Sequence, residues 1–222
     1  MLRRRLRQAP SELRARRRAT RALAEARDRP THAGRAALGP LLHRLASDCR
    51  TQLDVGTGLM HSLERSPCPV RIGLDAHRPY LEHRRVPDAV PLHASALSIG
   101  ELFVPGAVEL VTLIDVIEHF DRAEALSLLE QARRIAARRV LLFTPRGLFP
   151  QEAHDAFGLG GEELQRHRSS WEPEDLTSLG FRVVVMDAYH GPWNESFVEA
   201  FGPNAPPVDA LVAWSAPTAA QT

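Results

Sequence analysis

The sequence predicts an α/β fold built on a mostly parallel, doubly wound sheet, and three observations carry that expectation. Seven apolar runs of strand length alternate with segments of helical periodicity. The first of these runs opens directly into the glycine turn Gly56-Thr57-Gly58. The run Val108 to Val116 is too rich in Val, Ile and Leu for an exposed strand, so it belongs at the centre of a sheet covered on both faces.

Along the chain, Leu38, Leu41, Leu42 and Leu45 lie at helical spacing, which predicts a helix over 35–46 leading into the core. A strand through Leu53 to Val55 follows, then a helical segment from Leu59 to Arg65 and a strand from Arg71 to Asp75. A helix around Pro79 to Arg85 and a strand near Ala89 to His93 complete the first half. After the central run, Asp121 and Glu124 form a capping box, and Ala125, Leu128, Leu129, Ala132 and Ile135 give the helix it starts a buried stripe. The strand Arg139 to Thr144 ends at Pro145, and a long connection over 146–170 leads to a short helix, Glu172 to Leu179, stopped by Gly180. The last strands, Phe181 to Tyr189 and Asp209 to Ser215, are separated by a Gly- and Pro-punctuated stretch. No helical crossover of ordinary length is evident there, so antiparallel pairing is expected.

Composition narrows the chemistry. With 222 residues, 44% apolar and 25% charged, the chain suits one well-buried domain. Residues 1–29 hold eleven Arg against three acids, a net charge near +8, while the remainder sits near −7. We read 1–30 as an Arg-rich extension, either helical or disordered, and 31–222 as the folded domain. Such a leader either contacts nucleic acid or another acidic partner, or simply stays solvated, and the solvated reading is preferred. Every one of the 28 basic residues is Arg, which excludes lysine Schiff bases, P-loop nucleotide binding and kinase chemistry. There is no GxSxG elbow and no HExxH helix. Cys49 and Cys68 lack CxxC spacing and read as buried thiols of a reducing, cytoplasmic setting. No apolar run approaches the roughly 20 residues of a membrane span, and no signal peptide follows the basic start.

Positive evidence begins at Leu53-Asp54-Val55-Gly56-Thr57-Gly58, where an acid ends a strand just before two glycines that let the backbone approach a ligand. Asp54 would repel a pyrophosphate but can receive an ammonium, and Met60 stands where a dinucleotide fingerprint has its third glycine. That favours S-adenosylmethionine (SAM) over NAD. Asp75, seventeen residues beyond Gly58, ends the next strand, where its carboxylate can accept both ribose hydroxyls. In this pattern the chain resembles the class I SAM-dependent methyltransferases of small molecules, from Leu53 through the final strand. The resemblance implies a Rossmann-like sheet of seven strands, one antiparallel, with helices on both faces. It implies a SAM site of Asp54, Gly56, Thr57, Gly58, Asp75, Ala76, Ser95, Ala96 and Asp115. Ser95 stands where the family often has an acid for the adenine amine.

Methyl transfer requires alignment and removal of a proton, so the acceptor site is expected beyond strand ends, where Asp115, Glu118, His119, His154 and His167 lie. Asp115, His119 and His167 are the catalytic candidates, and His154, Trp171 and Trp193 the candidate acceptor contacts. The set Asp115, Glu118, His119 and His167 also resembles the metal motif of small-RNA 2′-O-methyltransferases. The preferred reading is metal-free: Glu118 and His119 form the turn into the next helix, and His167 is a base or a substrate contact. The connection over 146–170 is long enough to be a lid, with Phe149 and Phe157 as walls. The expected acceptor is a small molecule with an oxygen or nitrogen nucleophile. An RNA acceptor and a non-catalytic SAM-binding module are the alternatives.

Overall fold

A computed structural model describes residues 10–27, 29–152, 155 and 157–215. In chain order it contains α1 (Pro10–Glu25), β1 (Thr31–Gly34), α2 (Leu38–Ala46), β2 (Thr51–Val55), β3 (Val70–Asp75), α3 (Arg78–Glu82), β4 (Val90–His93) and α4 (Ile99–Leu102). There follow β5 (Val108–Ile114), α5 (Arg122–Ile135), β6 (Ala136–Pro145), α6 (Pro173–Ser178), β7 (Arg182–His190), α7 (Glu195–Phe201) and β8 (Val208–Ser215). Among the described residues the strands form one sheet in the order β1-β7-β8-β6-β5-β2-β3-β4. All neighbours are parallel except β8, which runs antiparallel to both β6 and β7. The chain winds outward from β2 in one direction through β3 and β4, and in the other through β5 and β6. The strand order therefore reverses between β2 and β5, and a crevice forms at their carboxyl ends.

The sheet has eight strands rather than the expected seven. The addition is β1, Thr-His-Ala-Gly, which pairs with β7 from Thr31↔Val184 to Gly34↔Asp187. Four residues with one small apolar side chain give no readable alternation. Two helical expectations also change. The segment 59–65 contains only a 3-10 turn, His61–Leu63, because the glycine turn carries straight into Met60, which sits in the left-handed region at φ 67°. In the stretch between the last strands, Asn194 caps the seven-residue α7, its side-chain oxygen accepting from Phe197 N at 3.2 Å.

Both faces of the sheet are covered, as the unbroken apolar strands require. Val111, Leu113, Val140, Leu142, Val183 and Val185 pack with the α5 stripe, Ala125 to Ile135, in one core. Their neighbours Leu110, Leu141, Phe143, Val184 and Val212 point the other way, against Leu41 and Leu45 of α2 and Ala19 and Ala22 of α1. The α5 capping box is present as the sequence reading expects, with Glu124 N donating to Asp121 at 2.9 Å. Among the described residues no helix is long and apolar enough to cross a membrane. Cys49 and Cys68 are buried free thiols.

Candidate cofactor and acceptor site

A cavity of about 420 Å³ opens at the carboxyl ends of β2, β3, β5, β6 and β7, where Asp54, Asp75, Ile114, Pro145 and His190 line it. Its size lies in the range of small-molecule sites. All nine residues expected to hold the cofactor line this one cavity, together with His119 and His167.

The floor of the cavity is the glycine turn. Gly56 and Gly58 have φ of 67° and 53°, a conformation that other residues adopt only with strain. Thr57 N donates to the Leu74 carbonyl at 3.0 Å, which fastens the turn to β3. Asp54 is almost wholly buried, and its carboxylate accepts from the hydroxyls of Thr57, at 2.7 Å, and of Ser62 and Thr112. It therefore braces the turn from beneath as well as contributing charge. Burial raises its pKa, the three hydroxyls lower it, and nearby Asp75 raises it again. An incoming cation would favour the ionised form of both acids.

Asp75 accepts the backbone N–H groups of Gly58 and His77, each at 2.8 Å and each on a different oxygen. These bonds fix the carboxylate plane and leave a further lone pair on each oxygen for ribose hydroxyls. Ser95 caps the next turn, its hydroxyl oxygen accepting from Leu97 N at 3.2 Å, and Ala96 follows at the cavity wall.

At the other end of the cavity, Asp115 holds an unusual left-handed backbone at φ 53°. Glu118, on the 3-10 turn Ile117–His119, is buried, with one oxygen accepting from Thr144 Oγ1 at 2.9 Å and the other unpartnered among the described residues. Desolvation raises Asp115 to about 7 and lifts Glu118 well above the ordinary carboxylate range, where the Asp115 charge adds to the effect. Desolvation, aided by neighbouring His167, lowers His119 to about 4, and it lowers His167 as well, so both imidazoles are neutral.

Among its described residues the connection over 146–170 lends the cavity Phe149, Gln151, Phe157, Leu164, Gln165 and His167. Asp155 knots it: one oxygen accepts from Tyr80 OH at 2.7 Å and Phe157 N at 2.9 Å, the other from Leu159 N at 2.7 Å and Gly161 N at 3.2 Å. Burial acts to raise the Asp155 pKa, but these four donors outweigh it and hold the carboxyl at about 2. The knot is therefore intact at neutral pH and is lost only as pH falls from the ordinary Asp range toward 2. Asp155→Ala is expected to expose this segment to limited proteolysis and to raise KM for the cofactor several-fold, with little change in Tm.

The expected acceptor contacts fare differently. Trp171 is fully buried in the main core, under the Arg122 guanidinium at 3.8 Å, with its indole N–H on Ser169 Oγ at 3.1 Å. It anchors the end of this connection to the core and does not line the cavity. Trp171→Ala is expected to cost roughly 3–5 kcal/mol of stability in chemical denaturation. Trp193 also lies outside the cavity, half-exposed against Arg35. His154 lies outside the described residues. The sequence reading missed His190, at the carboxyl end of β7. Asn194 Nδ2 faces its Nδ1 at 3.3 Å, so the proton belongs on Nε2, which is buried and has no acceptor among the described residues. Its place at a strand end was the available signal.

No protein-family model matches this sequence, and no curated protein matches it significantly. Solved structures do match. The YcgJ protein of Bacillus subtilis superposes with a TM-score of 0.53 at 16% identity, over 80% of this chain and 97% of that one. A SAM-dependent methyltransferase from Archaeoglobus fulgidus gives 0.50 at 16% identity, over 82% and 95%. Another from Mesorhizobium loti gives 0.50 at 14%, over 79% and 95%. At these identities the likeness speaks for the fold, and the fold is that of the class I SAM-dependent methyltransferases.

Proposed function

We propose that this chain transfers a methyl group from SAM to an oxygen or nitrogen of a small-molecule acceptor. The observation that carries this reading is the convergence of the glycine turn, the Asp75 carboxylate and the Asp115–His119–His167 wall on one cavity. When bound, SAM supplies a methyl group on a cationic sulfur: the acceptor's lone pair forms the new bond to carbon as the carbon–sulfur pair returns to sulfur. Asp54 and Asp75 offset the positive charge and hold the ribose, and the close backbone at Gly56 and Gly58 admits the amino-acid end. The wall of Asp115, His119 and His167 orients the acceptor and takes its proton. The lid over 146–170 excludes water. In this reading 31–222 is the catalytic domain, 1–30 its extension, and the buried thiols suit a reducing cytoplasm.

Calorimetry with SAM and S-adenosylhomocysteine tests the cofactor assignment, and absence of binding by the wild-type protein overturns it. Methyl transfer from labelled SAM into a metabolite extract then tests the acceptor class. Label appearing in RNA instead would replace the small-molecule reading.

A further inference from the structure

A second cavity, of about 690 Å³, lies on the face of the sheet covered by α1 and α2, and methyl transfer makes no use of it. The chain leaves the glycine turn through the 3-10 turn His61–Leu63 instead of a full helix, so space over β2 and β5 beside α2 stays unfilled. The base is Gln52 of β2, Thr112 and Ile114 of β5 and Leu141 of β6. The volume is ample for a small organic molecule.

The walls are basic. His43 and Arg44 of α2 stand on one side, and His61 and Arg65, beyond the glycine turn, on another. Among the described residues lining the cavity there is one acid, Glu12 of α1. Arg44 and Arg65 are exposed, and neither guanidinium has an ion-pair or hydrogen-bond partner among the described residues. Between these walls Pro40, Leu42, Ile114 and Leu141 present apolar surface. Two guanidinium groups without acids, set on different walls above an apolar base, suit a molecule with an anionic head and an apolar body. A cation would meet like charge there.

The base of this cavity is connected to the cofactor turn. Ser66 Oγ donates to Gln52 Oε1 at 2.5 Å, Gln52 Nε2 to Thr112 Oγ1 at 3.0 Å, and Thr112 Oγ1 to Asp54 at 2.5 Å. Ser62 donates to Asp54 directly, and it lines both cavities. The segment 61–67 therefore gives the second cavity Arg65 and Ser66, and gives the glycine turn one of its braces. A ligand that joins Arg44 to Arg65 holds this segment still and Ser62 with it. Ordering already met by one ligand need not be met again by the other.

We infer that this cavity binds a small organic anion with an apolar body, and that its occupation tightens binding of the cofactor. The coupling rests on the SAM reading of the neighbouring cavity; the anion site does not.

The test uses full-length protein and two probes of like shape, the anionic anilinonaphthalene sulfonate and the uncharged N-phenylnaphthylamine. Each is titrated by fluorescence without S-adenosylhomocysteine and with it at saturation. The expected result is one equivalent of sulfonate, bound at least roughly 10-fold more tightly than the amine. In the converse titration, S-adenosylhomocysteine should bind about 5-fold more tightly once sulfonate is present. Gly39 lines the cavity, and a Cβ there meets nothing within 4 Å, so Gly39→Trp can fill the space. It should keep the wild-type Tm and lose the sulfonate. The double variant Arg44→Gln/Arg65→Gln changes two exposed side chains, and should weaken the sulfonate roughly 10-fold while leaving the amine unchanged. Wild-type protein that binds no sulfonate, equal affinity for the two probes, displacement of sulfonate by S-adenosylhomocysteine, or unaltered binding in the variants would overturn the site. An affinity for S-adenosylhomocysteine unmoved by sulfonate would overturn the coupling. Sulfonate binding with no binding of S-adenosylhomocysteine would remove the SAM reading and leave the anion site standing.

Discussion

Asp75→Ala is expected to weaken SAM binding by about 100- to 1000-fold while leaving the protein folded. Asp75 sits at the mouth of the cavity with each oxygen already fixed by one backbone N–H, at 2.8 Å from Gly58 and from His77. The carboxylate is thus oriented before any ligand arrives, and it loses little freedom when two ribose hydroxyls bind. Two charge-assisted bonds at roughly 1.5–2 kcal/mol each amount to about 3–4 kcal/mol, which is the stated loss in affinity. Gly58 lines the cavity and both Gly58 and His77 are only half-buried, so the two N–H groups released by the substitution can be hydrated and the fold should survive. Asp75→Asn, which keeps one acceptor, should fall between. Calorimetry of the three proteins gives the answer, and a dissociation constant unchanged in Asp75→Ala would remove this residue from the ribose site.

Gly56→Val should act on the fold as well as on the ligand. The Gly56 backbone is left-handed at φ 67°, and a Cβ there would lie 2.7 Å from Val116 Cγ2. A β-branched residue meets backbone strain and overpacking at once, together about 3–5 kcal/mol. Val116 cannot simply swing aside: it is buried in the main core with Leu53 and Leu113. The expected outcome is a lower urea midpoint at unchanged m-value and no measurable SAM binding. Stability within about 0.5 kcal/mol of wild type, a shift ordinary for surface substitutions, would mean that the turn is not packed as described.

The central strands were legible because a strand covered on both faces reads as an unbroken apolar run, and α5 because burial on one face imposes a period near 3.6. The cofactor turn was legible for a different reason, since only glycine tolerates positive φ in a tight approach and an acid at a strand end has few structural uses. What escaped has equally physical causes. The strand β1 is too short for a period, and α7 is seven residues enclosed by Gly191-Pro192 and Gly202-Pro203, which read as loop. Trp171 looked like a substrate contact because aromatic residues in a long connection have no period to declare them as core. The bracing of Asp54 by Ser62 and Thr112 was invisible because Thr112 comes from β5, paired with β2 only in three dimensions.

The addition of β1 to β7 has a consequence for how the sheet meets other molecules. Without Thr31–Gly34, the backbone groups of Val184 to Asp187 would stand open as a template for a foreign strand. The opposite margin is blunted differently, since β4 has four residues and contains Pro91, which has no N–H to offer. The guard on β7 is itself held from behind, with Thr31 Oγ1 donating to the Ala22 carbonyl at 3.0 Å. Ala19 and Ala22 lie in the same core cluster as Ala33. The arginine-rich helix thus does more than carry charge: it pins in place the strand that keeps the sheet from growing.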